Sequence, residues 1–90
     1  YYVVGDRANA IFLDELNEIV KKNKNLKIIP YFSAEKGRID ADFISKSSGD
    51  LKNKEILLCG PVLMMRNLKE DFKKMGVKSN RVHMEEFALL

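Results

Sequence analysis

Two rhythms of apolar and polar positions run through the ninety residues, one of period two and one near 3.6. Tyr1 to Val4 is a run of aromatic and β-branched residues closed by Gly5-Asp6, which predicts a strand ending in a turn. From Ala10 to about Lys22 the apolar positions Phe12, Leu16, Ile19 and Val20 fall on one helical face. Asp6 or Asn9 is placed to cap its start, while Lys21, Lys22 and Lys24 complement the negative end of its dipole. Leu26 to Phe32 predicts a second strand. Its Pro30 cannot donate to a ladder, so that strand belongs at a sheet edge or carries a bulge.

Residues 33–54 are irregular and predict a long loop with a short helix over about Ala41 to Lys46. Glu55 to Cys59 is a continuous apolar run, the pattern of a strand covered on both faces. Gly60-Pro61 stops it, and Pro61 suits the first turn of a helix that repeats Met65, Leu68, Phe72 and Met75. Gly76 marks the exit of that helix, and Arg81 to Phe87 alternates as a last strand. Strands and helices in this order require right-handed crossovers. They predict a partial Rossmann-like three-layer α/β fold with a mostly parallel sheet of about four strands.

Composition narrows the picture. Ninety residues, 46% of them hydrophobic, bury one small core, and such a core is marginal in isolation. Sixteen basic and thirteen acidic residues leave a net charge of +3 with the signs interspersed, too mild and scattered a surplus for a nucleic-acid surface. The single cysteine excludes an internal disulfide and suits a reducing compartment, so the expected location is the cytoplasm or the cytoplasmic part of a larger protein. No apolar stretch approaches the roughly 20 residues of a membrane span. The chain opens on Tyr1-Tyr2-Val3-Val4 rather than an initiator Met and is expected to be part of a longer polypeptide.

Ligands of open α/β sheets gather beyond the carboxyl ends of strands. Three corners qualify: Gly5-Asp6-Arg7, the segment from Ser33, and Cys59-Gly60-Pro61, where a strand empties directly into a helix N-terminus. Gly60 lets a ligand approach the backbone, and Arg7 and Arg38 lie in loops suited to a phosphate-bearing small ligand. Met64 and Met65 are near the turn, although methionines at helical spacing fill cores more often than they hold ligands. His83 has no second ligand at metal-binding spacing, and the lysine clusters suit solvated faces and helix ends.

Leu57-Leu58-Cys59-Gly60-Pro61-Val62-Leu63-Met64-Met65, then Gly76-Val77 and His83-Met84-Glu85-Glu86-Phe87, resembles the pyridine-nucleotide domain of the ferredoxin–NADP reductase superfamily. Flavin-dependent reductases of that group carry a Cys-Gly-Pro-x-x-Met-Met-like turn before the last helix and a His-x-Glu-x-Phe-like final strand. Tyr2-Val3-Val4-Gly5-Asp6-Arg7, Asp14-Glu15-Leu16 and Gly37-Arg38-Ile39-Asp40 extend the resemblance over nearly the whole chain.

The resemblance implies that Cys59 lies beside the nicotinamide carbon that gives up hydride, in a pocket shaped by Gly60 and Pro61, with Glu85 near the same centre. It implies that Phe87 lies against the flavin and that Arg7 and Ser33 flank the adenosine half of the nucleotide. Relatives that take the phosphorylated nucleotide often carry a basic residue just after the serine. Here Ala34 and Glu35 follow, which tilts the expectation toward NADH. The cofactors implied are NAD(P)H and FAD or FMN, the flavin bound mainly by an upstream domain. The electron acceptor, whether haem, iron–sulfur protein, oxygenase or ferric iron, is left open.

The family's domain begins with a further central strand and a Gly-rich pyrophosphate turn, and no Gly-x-Gly occurs in this chain. The resemblance thus implies a C-terminal fragment, inactive or nearly so by itself, whose sheet edges are exposed to self-association. A reading of another class also stands at this point: a non-catalytic α/β module that uses its sheet as a protein-interaction platform.

Overall fold

The computed structural model describes residues 1–86, the last by its main chain alone. Its elements are β1 (Tyr2–Val4), a 3-10 turn (Arg7–Asn9), α1 (Leu13–Lys22), β2 (Pro30–Phe32), α2 (Ser33–Lys36), α3 (Ala41–Ser48), β3 (Ile56–Gly60), α4 (Val62–Lys74), a second 3-10 turn (Ser79–Arg81) and β4 (Val82–Glu86). The α/β class and the parallel pairing agree with the sequence. The four strands form two parallel pairs, β1 with β2 and β3 with β4. Two compact units contain them, Tyr1–Ile39 and Asp40–Leu90.

In the first unit Tyr2, Val3 and Val4 stand opposite Pro30, Tyr31 and Phe32. Pro30 opens β2, so the strand expected from Leu26 is reduced to the three residues that carry the ladder, as its missing N–H demands. Asp6 does act as a cap, but for the 3-10 turn: its Oδ1 accepts from the Asn9 N–H at 3.0 Å. Helix α1 starts only at Leu13, with no side-chain cap, and keeps Asp14 and Glu15 at its positive end and Lys21 and Lys22 at its negative end. Tyr31 and Phe32 are buried.

In the second unit Asp40 caps α3 through its Oδ1, which accepts from the Phe43 N–H at 2.8 Å, and Gly49 ends that helix with φ 81°. On the same helix Asp42 sits 2.9 Å from Lys46. The hydrogen bond first, and then the charge of that carboxylate, hold the ammonium pKa above its ordinary value. Residues 33–54 therefore carry two helices, α2 and α3, where one was expected. Helix α4 buries Met65, Leu68 and Phe72 and packs on α3, β3 and β4. Gly76 leaves it at φ 92°, and the Val77 N–H returns to the Phe72 carbonyl at 3.0 Å.

The expectation that β3 is covered on both faces fails. Its burial alternates: Ile56 and Leu58 are half-buried, while Leu57 is 79% exposed and Cys59 is exposed. The paired strand β4 repeats the alternation, with Val82 and Met84 sheltered and His83 and Glu85 open. One crossover helix covers one face of a two-stranded sheet. Among the described residues no helix is long and apolar enough to cross a membrane.

Candidate functional site

The Cys59-Gly60-Pro61 corner is built by the end of β3 and the start of α4. The β3–β4 register sets Cys59 directly opposite Glu85 and Gly60 opposite Glu86. Paired residues of a parallel ladder project from the same face, so the thiol and the Glu85 carboxyl emerge side by side, both exposed. Gly60 adopts φ 155°, and a Cβ there would come within 2.7 Å of Met64 Cε. The close approach of Met64 thus gives it a place in the corner, while Met65 is fully buried in the core. Pro61 precedes α4, and no side chain caps that helix, whose first N–H groups and positive dipole end remain open to a ligand. The corner thus gathers a glycine backbone beneath Met64, a helix start without a side-chain cap, and a thiol and a carboxyl side by side on one open face.

Behind this pair, at the amino ends of the same strands, Glu55 Oε2 lies 2.9 Å from His83 Nε2 and its Oε1 lies 3.5 Å from Arg81. His83 is thus a polar strand residue tied to a carboxylate on the neighbouring chain segment. Sequence inspection overlooked this clasp because 28 positions separate Glu55 from His83.

The other predicted corner belongs to the first unit. The Ser33 hydroxyl donates to the Val4 carbonyl at 3.4 Å, and the Ala34 N–H donates to the Gly5 carbonyl at 2.8 Å, joining the turns after β1 and β2. The Arg7 guanidinium lies 4.5 Å from the centroid of the Phe32 ring, and its Nε is 3.6 Å from Glu35 Oε1. Arg7 and Ser33 are thereby brought to one strand end. Arg38 is exposed on the loop after α2, where its carbonyl accepts from the Tyr31 hydroxyl at 3.3 Å, and its guanidinium pairs with neither Arg7 nor Ser33. Phe87 lies outside the described residues.

Parallel strands joined through helices, with polar groups collected at their carboxyl ends, define the class as a partial Rossmann-like α/β domain. The oxidoreductase NAD-binding domain family matches residues 1–70, and the chain belongs to that family. Among curated proteins it is similar to flavohemoprotein B of Dictyostelium discoideum, 30% identical in an alignment of 84 positions that covers 87% of this chain and 20% of that protein. The chain thus spans about a fifth of that relative's length. No solved structure matches it significantly.

Proposed function

We propose that these residues are the pyridine-nucleotide-binding portion of a flavoprotein reductase that takes hydride from NAD(P)H onto FAD or FMN and hands electrons to an acceptor. The observation that carries the proposal is the register pair of Cys59 and Glu85 on one open face, beside the Gly60-Pro61 turn. In this reading Cys59 and Glu85 bracket the reacting ring, and Gly60, Pro61 and Met64 shape its seat. Arg7, Ser33 and Arg38 serve the adenosine and phosphate end, and Phe87 meets the flavin. When bound, the nucleotide supplies hydride and the flavin divides it into single electrons; the protein's part is positioning.

Cys59 acts by contact rather than as a nucleophile, since among the described residues no His or Lys is paired with it. The absence of a basic residue at Ala34 and Glu35 supports NADH as the preferred donor. The name of the flavohemoprotein relative supports the flavin and favours haem among the acceptors. The ninety residues alone, with the flavin held mainly by an upstream domain, transfer little or no hydride, and the working location is cytoplasmic.

The test is anaerobic rapid mixing of the intact protein with NADH. Cys59→Ala and Glu85→Gln are each expected to slow flavin reduction by roughly ten- to a hundredfold with flavin content unchanged, the scale of a misplaced reacting group. Wild-type reduction rates in both variants would take this corner out of the reaction and favour an interaction module instead.

A further inference from the structure

We infer that Glu55 is a positioning residue that holds the His83 imidazole back from Cys59, so that the thiol stands beside Glu85 with no base against it. This role rests on the β3–β4 register rather than on the pyridine-nucleotide reading, which leaves Glu55, Arg81 and His83 idle.

The register fixes the alternatives open to the ring. His83 stands opposite Leu57 and Glu85 opposite Cys59, and strand alternation puts all four side chains on the open face. Glu55 precedes Leu57 by two positions and Cys59 follows it by two, so His83 has one diagonal neighbour behind it and one ahead. Diagonal neighbours of paired strands lie about 7–8 Å apart, within reach of an aromatic side chain. The imidazole therefore has a carboxylate on one side and a thiol on the other. It turns back: its Nε2 lies 2.9 Å from Glu55 Oε2, and a ring whose outer nitrogen is engaged there points away from Cys59.

Glu55 is itself held. Its Oε1 lies 3.5 Å from Arg81 Nη1, and Arg81 closes the turn that leads into β4. The carboxylate is thus anchored through both oxygens, one on each neighbour. The side chains of Arg81, His83 and Glu55 are 35%, 55% and 58% exposed, so these contacts add little stability; what they decide is the direction of the ring.

The restraint has a chemical consequence. An imidazole in hydrogen-bond reach of a thiol takes its proton onto the free ring nitrogen and leaves the thiolate, the form that attacks electrophiles. Glu85, two positions beyond His83 on the same face, would attract the resulting imidazolium toward the corner. Without Glu55 the ring has both groups ahead of it and nothing behind. With Glu55 in place Cys59 is kept for contact with a ligand and is spared from becoming a nucleophile.

The experiment measures alkylation of Cys59 by iodoacetamide in the intact protein at neutral pH, followed by mass spectrometry of the peptide that carries it. The sulfur bonds to the methylene carbon of the reagent, iodide leaves, and the thiol proton passes to the base. Wild type and His83→Ala are expected to react at equal rates. Glu55→Ala should react about three- to tenfold faster, the gain of a thiol that has acquired an imidazole neighbour. Glu55→Gln should keep the wild-type rate, since its amide oxygen still accepts from the ring. Adding His83→Ala to Glu55→Ala should abolish the gain. An unchanged rate in Glu55→Ala overturns the role of Glu55, and so does a gain that survives the loss of His83, which would mark a loosened strand pair instead. Neither result bears on hydride transfer, whose failure is read separately when the intact protein is mixed with NADH.

Discussion

Gly60 occupies the point where the β3 ladder, the Cys59 thiol and the first turn of α4 meet, and it does so at φ 155°, in a region that L side chains rarely enter. Gly60→Ala is expected to cost about 1–3 kcal/mol, read as a lower denaturation midpoint. Part of that cost is the 2.7 Å encounter with Met64 Cε, so Met64→Ala should restore some of it; no restoration would assign the whole cost to the backbone. Glu55 shows the opposite case. Its contacts to His83 and Arg81 are largely exposed, and Glu55→Ala should lower stability by about 1 kcal/mol or less in the same measurement. The strand-to-helix corner at Cys59 and Gly60 and the alternation of the strand that carries Glu85 were legible in the sequence as positions, because short local patterns mark them. The pairing of Arg7 with Glu35 and the Glu55 clasp were not, since each depends on two strands coming together from distant positions.

Elements obey the same division between local and distant causes. Helix α4 announces itself through the spacing of Met65, Leu68 and Phe72, and these three are the residues it buries. Phe72 is fully buried, so Phe72→Ala should cost about 3–5 kcal/mol in denaturant unfolding, and a loss under 1 kcal/mol would show that the helix does not anchor its unit. Helix α3 is set by a cap at each end, Asp40 and Gly49, which the many charges of residues 33–54 obscure. Asp40→Ala should remove about 1 kcal/mol and show increased amide exchange at Phe43. The apolar run of β3 misleads for a different reason. Ile56, Leu57, Leu58 and Cys59 carry no polar alternation to betray an open face, and whether such a strand is covered on both sides is decided by what packs on it, not by its own residues.

For the whole molecule, the decisive fact is that four parallel strands form two pairs rather than one ladder. Each pair has one hydrogen-bonding edge per strand without a partner strand among the described residues, and an apolar edge strand is a template for another chain. Leu57, 79% exposed on β3, adds apolar surface on the open face beside that edge. The ninety-residue chain is therefore expected to self-associate with rising concentration in sedimentation velocity, and Leu57→Lys to reduce it; a monomer at all concentrations would show the edges to be harmless.

The pairing of Cys59 with Glu85 is also a statement about order in time. The two residues come from strands joined through the whole of α4, so neither local turn formation nor either strand alone can bring them together. A chain in which that helix has not docked contains both side chains and no juxtaposition. Their juxtaposition therefore requires the docking of α4 and the pairing of β3 with β4, and any function of this corner requires both.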